Sequence, residues 1–158
     1  MIFLKINYKK LILNIAIPLI VGGLSALFTM KSMEDFKALN KPPLSPAGWL
    51  FPVVWTVLYV LMGIASYLVC TSGKPARSKT ALTVYGIQLA FNFLWSIIFF
   101  SVKAYLFAFV WLIILLILII INTVLFYRIN KKAGYLLIPY ILWVTFAGYL
   151  NLAIYLLN

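Results

Sequence analysis

The chain reads as an all-α integral membrane protein, a five-transmembrane-helix bundle in one domain over residues 1–158. Three observations carry that reading. Hydrophobic residues make up 66% of the chain, charged residues 9%, and the mean hydropathy is +1.11, against roughly 45–50% apolar and about 25% charged in a soluble domain. Five separate stretches reach the ~20 apolar residues needed to cross a bilayer. Polar, cationic and Pro- or Gly-bearing segments punctuate them.

The first span covers 11–30. Its apolar run is longer than a secretory h-region and no small-residue cleavage site follows, so a retained helix is expected. A polar, Pro-rich loop over 31–46 leads to the second span at 47–70. Residues 71–79 carry Gly, Pro and three cations before the third span at 80–101. Lys103 alone parts this span from the fourth, 104–127, which requires a tight antiparallel hairpin. A basic turn at 128–133 then precedes the fifth span, 134–157.

Cations sort by side. Lys5, Lys9, Lys10, Lys74, Arg77, Lys79, Arg128, Lys131 and Lys132 fall at one end; Lys31, Lys37, Lys41 and Lys103 fall at the other, with both acids, Glu34 and Asp35. The positive-inside rule then puts the N-terminus in the cytoplasm, and the first loop and C-terminus outside. A net charge of +11 would suggest nucleic acid in a soluble protein. In this chain the anionic lipid bilayer is the expected partner, and no nucleic acid is expected.

The composition excludes several chemistries. There is no histidine and a single cysteine, Cys70, so no intrachain disulfide, catalytic triad or His/Cys metal site is expected. No span carries an ionisable residue near its middle, which argues against an ion-coupled pump or proton relay.

Aromatic residues supply the remaining signal, 17% of the chain with 5 Trp, 10 Tyr and 12 Phe. Trp49, Tyr105, Tyr127 and Tyr155 sit where interfacial anchors belong. Others share helix faces inside the spans. Trp55 and Tyr59 are i and i+4 on the second. Gln88, Asn92 and Trp95 share a face of the third, and Tyr140, Trp143, Ala147, Leu150 and Asn151 form a stripe on the fifth. Buried amides must find partners in lipid, so these faces point inward. They are either interhelical glue or the walls of an aromatic pocket, with Gly22, Gly23, Ser25 and Ala26 on the first span leaving room. Gly86 and Ala90 have a small-xxx-small spacing, which permits close approach of another helix of the bundle or of a second copy.

Three blocks carry a family resemblance. The segment from Lys41 through Pro42, Pro43, Trp49, Pro52, Trp55 and Tyr59 to Gly63, the block Gln88 to Phe100 with Asn92 and Trp95, and the block Pro139 to Asn151 with Tyr140, Trp143, Phe146, Ala147 and Leu150 resemble, in order, the signature of the TspO/MBR family. These are tryptophan-rich sensory proteins related to the mitochondrial translocator protein, or peripheral benzodiazepine receptor. The resemblance implies a five-helix bundle, often a homodimer, and the abundance of Ile, Lys and Asn points to the plasma membrane of a bacterium rather than to a mitochondrion. It implies a cavity opening toward the first loop that binds protoporphyrin IX-type tetrapyrroles, as ligand rather than cofactor, and isoquinoline- or benzodiazepine-type drugs. Carried over by motif, the ligand-binding residues are Trp55, Tyr59, Asn92, Trp95, Trp143, Ala147 and Leu150; Gly23 and Ala26 join them as the small residues of the first span that leave room. Some members degrade porphyrin with light and oxygen, and Trp55 and Trp143 are the matching tryptophans. A passive transporter or channel for porphyrins or other amphiphiles is the alternative.

The residues agree with that ligand class. Indole and phenol faces stack on a flat macrocycle. Its carboxylates need cations, and Lys37 and Lys41 are either that pair or ordinary interfacial charge. The chain departs from the family at Leu44, Ala47 and Asp35-Phe36, so its first loop is expected to close the pocket differently. No basic residue follows Tyr149 or Tyr155, so the family's sterol motif is not matched.

Overall fold

The computed structural model describes residues 5–158; residues 1–4 of the expected domain lie outside the described residues. Helix α1 spans Tyr8–Thr29 and is capped by Asn7, whose side chain accepts from Lys10 N at 3.1 Å. A 3-10 turn (Met30–Ser32) leads into the short helix α2 (Met33–Lys37). Then come α3 (Leu50–Cys70) and α4 (Pro75–Ser96), the latter continuing as a π-helical turn over Ile97–Val102. Helix α5 is Tyr105–Ile129, α6 Lys131–Leu136 and α7 Ile138–Leu157. The result is an all-α membrane bundle of five spans: α1 with α2, α3, α4 with its π turn, α5, and α6 with α7.

Several boundaries differ from those read in the sequence, and for one physical reason: hydropathy marks the lipid slab, while capping and turn chemistry mark the helix ends. Helix α4 starts at Pro75 rather than at 80, because a proline with its fixed φ suits the first turn. Helix α1 starts three residues earlier than 11, at the Asn7 cap. The 31–46 loop contains α2, which has Glu34 and Asp35 in its first turn and Lys37 in its last, matching the helix dipole. The fifth span breaks at Leu137, since Pro139 brings no N–H to continue the α6 ladder. The hairpin at Lys103 is as tight as the single-residue separator demands, with Lys103 in the left-handed region at φ 60°.

Helices α1 and α3 pack most intimately. A methyl at Gly63 would run into Ile15 Cα and Asn14 O, so glycine lets α3 press on the α1 backbone. Pro18 removes one donor for that same Asn14 carbonyl. Helix α5 packs on α4 and α7, and Met62, Ala65, Leu112, Leu115, Ile119, Phe126 and Tyr140 are sealed in the core. The outer faces expose Ile12, Ile17, Ile20, Ile117 and Ile121, the surface expected against lipid rather than water.

The two ends of the bundle gather the charges as the sequence sorted them. At one end Asn7 N donates to Tyr67 OH at 3.0 Å, and Lys74 Nζ to Ile129 O at 3.1 Å. At the other, Lys103 pairs with Asp35 at 2.6 Å. There Asn40 and Asn158 exchange two hydrogen bonds of 3.0 and 2.9 Å, tying the first loop to the end of α7.

Candidate functional site

A cavity of about 860 Å³ opens beneath the first loop, within the range of small-molecule sites. Helix α1 contributes Leu19, Gly22, Gly23, Ala26 and Thr29, a run at helical spacing. Helix α3 contributes Phe51, Trp55 and Tyr59, at four-residue steps on one face. Trp95, Phe99 and Phe100 come from α4 and its π turn, and Trp143, Ala147, Leu150 and Ile154 from α7.

Eight of the nine residues expected at a ligand site thus face one space: Gly23, Ala26, Trp55, Tyr59, Trp95, Trp143, Ala147 and Leu150. Asn92 does not, which corrects the reading that put it in the wall. It lies one layer deeper, 1% exposed, and both ends of its amide are engaged. Tyr59 OH donates to Asn92 Oδ1 at 3.0 Å, and Asn92 Nδ2 donates to Tyr140 OH at 2.8 Å. Tyr140 OH in turn donates to Gln88 Oε1 at 2.7 Å. Glue and pocket are therefore both present, in adjacent layers: the amides are the glue, and Tyr59 joins the two. The α7 stripe divides the same way. Trp143, Ala147 and Leu150 face the cavity, whereas Tyr140 and Asn151 are spent on hydrogen bonds behind it. Asn151 accepts from Trp95 Nε1 at 3.1 Å and donates to Tyr105 O at 2.8 Å, which locks the Trp95 indole.

Each aromatic wall has its own support. Trp55 stacks on Tyr59 with centroids 5.6 Å apart and meets Tyr140 edge-on at 6.2 Å. The Tyr59 ring lies over Gly22, where any Cβ would strike it. Gly23, one residue on, has open space where a side chain would go. Trp95 stacks on Phe99 at 5.4 Å.

Lys37 and Lys41 line the mouth. Lys37 Nζ pairs with Glu34 at 2.8 Å. Lys41 Nζ donates to Lys37 O and Leu39 O at 3.0 and 3.3 Å and stands 5.0 Å over the Phe36 ring. That places one cation at the C-terminal end of α2, where the dipole favours it. Phe36 wedges against Phe99 and Phe100 at 6.0 and 5.2 Å. The Asp35-Phe36 departure therefore closes the loop in its own way, with an ion pair and a phenylalanine plug.

Sequence reasoning missed Phe51, Thr29, Phe99 and Phe100. Phe51 stands four residues before Trp55, and Thr29 seven after Gly22, so helical spacing holds both signals. Phe99, four residues after Trp95, holds the same signal, whereas Phe100 carried none, because the π turn shifts the phase by which a face is read. Gly86 and Ala90 face outward, with nothing within 4 Å of a Gly86 Cβ, so their spacing serves no contact inside the bundle.

The TspO/MBR family model matches residues 14–157. The tryptophan-rich protein TspO of Archaeoglobus fulgidus is 40% identical over 153 residues, 96% of this chain and 99% of that protein. Its counterpart in Chlorobaculum tepidum is 39% identical over 150 residues, 94% and 95% of the two chains. The human translocator protein is 34% identical over 127 residues, 79% and 75%. With a match from α1 to the last turn of α7, this chain belongs to the TspO/MBR family.

Proposed function

We propose that the chain is a tetrapyrrole-binding membrane protein, acting as a sensor or handler of protoporphyrin IX-type ligands. The observation that carries this reading is that Trp55 on α3 and Trp143 on α7 face one cavity below Lys37 and Lys41. Two indoles can stack on a macrocycle, and the cations suit its two carboxylates. Flat isoquinoline- or benzodiazepine-type drugs suit the same walls. A related protein of Cereibacter sphaeroides, 36% identical, is named a tryptophan-rich sensory protein, and the animal relatives are named translocators.

A through-channel fits less well. The hydrogen-bonded layer of Tyr59, Asn92, Tyr140 and Gln88 lies beneath the cavity, with Tyr59 its one member in the wall. Opening it would strand buried polar groups at about 1–3 kcal/mol each. Light- and oxygen-driven breakdown of a bound porphyrin is favoured by the Trp55–Tyr59 stack, which sets an oxidisable pair beside the ligand. Trp143 faces the same cavity from α7.

The nine-cation end is read as cytoplasmic and the cavity mouth as external, in the plasma membrane of a bacterium. Outward-facing Gly86 and Ala90 suit a homodimer.

The test is a Soret-band titration of detergent-purified protein with protoporphyrin IX in the dark, alongside Gly23→Leu. A Cβ at Gly23 meets nothing within 4 Å, so the larger side chain starts into open space on the cavity wall. The reading expects saturable binding that weakens at least tenfold in the variant. A linear titration, identical in both proteins, contradicts it and identifies partition into micelles.

A further inference from the structure

Trp143 borders two spaces. Inside is the cavity; outside, an apolar groove of about 440 Å³ runs along the lipid-facing seam between α3 and α7. Val57 and Leu61 line the groove from α3, Leu142 and Phe146 from α7. Among the described residues Trp143 alone lines both. The backbones of α3 and α7 hardly approach each other, although α3 is pressed onto α1 and α7 onto α5. Side chains therefore close this seam.

The indole at that position is untethered. Trp95 Nε1 and Trp111 Nε1 donate to Asn151 and to the Phe91 carbonyl, which fixes both rings. Trp143 Nε1 is buried with no partner, so turning the ring breaks no hydrogen bond. Phe51 and Phe146 touch it only through aromatic contacts with centroids 5.8 and 5.7 Å away. The mouth is the opposite case. Asp35–Lys103, Asn40–Asn158 and the Phe36 wedge strap the first loop over it.

We propose that Trp143 is a side door: a flat, apolar ligand dissolved in the bilayer reaches the cavity through the α3–α7 seam as the indole swings, and not through the strapped mouth. The proposal rests on the cavity being a ligand site. A molecule that partitions into lipid is concentrated where the groove lies, and no polar group in the groove resists its passage.

Two experiments test it, both with full-length protein in phosphatidylcholine vesicles. In the first, protoporphyrin IX is delivered from donor vesicles and its capture followed by the Soret band. Val57→Phe with Leu142→Phe narrows the groove without touching the cavity. Capture and release should both slow about tenfold with unchanged affinity, a rise of about 1.4 kcal/mol in the barrier. Lys103→Ala, which loosens the mouth, should leave both rates as they were. Rates insensitive to the groove variant, or accelerated by Lys103→Ala, overturn the side door. Absence of saturable capture by the unaltered protein refutes the porphyrin reading instead, and the second experiment then decides the door. In it, Trp49, Trp95 and Trp111 are replaced by Phe, and Trp55 fluorescence is quenched by lipids brominated along the acyl chain. Trp143→Ala should at least double the quenching over Trp143→Phe. Equal quenching in the two means that Trp143 does not part the cavity from lipid.

Discussion

The Tyr59 ring lies against Gly22, so close that no side chain larger than hydrogen fits between them. That one contact seats the phenol on Asn92 and sets the floor of the cavity. Gly22→Ala should therefore lower stability by about 1–3 kcal/mol, the usual range for overpacking. Gly23→Ala meets open space and removes a helix-interior glycine, so it should be neutral or stabilising by up to about 1 kcal/mol. Thermal unfolding of the two variants in detergent, followed by size-exclusion chromatography, checks the contrast.

The amide layer behind the cavity acts as a unit. Asn92→Leu leaves the phenols of Tyr59 and Tyr140 each short of a partner, at about 1–3 kcal/mol. Adding Tyr59→Phe removes one of those stranded groups. The double variant should lose less than the two single losses combined, by at least about 0.5 kcal/mol. Chemical denaturation of all three proteins measures the coupling, and strict additivity would mean that the layer is not a network.

Lys103 straps the first loop. Its pairing with Asp35 holds the ammonium above its ordinary value of 10.5. A cation raised in the folded state stabilises fully below its unfolded value and loses that contribution as pH rises through the folded one. The strap should hold through neutral and mildly alkaline solution and release only in strong alkali. Limited proteolysis in the 31–46 loop should therefore be slow at pH 8 and faster in Lys103→Met at the same pH. Wild type should match the variant only well above pH 10.5.

The single cysteine reports orientation. Cys70 ends α3, is exposed, and lies at the end of the bundle that carries most of the cations. With that end in the cytoplasm, a membrane-impermeant maleimide should fail to label Cys70 in intact cells and label it after permeabilisation. Labelling in intact cells would reverse the topology.

The spans and the family were legible in the sequence because lipid imposes a length and composition that few other environments do. The helix ends were not, since Asn7, Pro75 and Pro139 act outside or across the apolar runs. Spacing placed Trp55, Tyr59, Trp143, Ala147 and Leu150 on faces that border the cavity. It failed for Asn92 because Gln88, Asn92 and Trp95 do share a face. That face, however, is divided in depth between cavity and core, and helical period carries no information on depth. Phe100 escaped for a different reason, the π turn that breaks the period itself.

The most direct test of the account is tryptophan quenching by protoporphyrin IX in the dark, with Trp55→Ala, Trp143→Ala protein alongside. Saturable quenching that weakens at least tenfold in the double variant is the predicted result, placing the pigment between α3 and α7. Quenching that rises linearly, or saturates with the same midpoint in both proteins, would contradict a porphyrin site in this cavity.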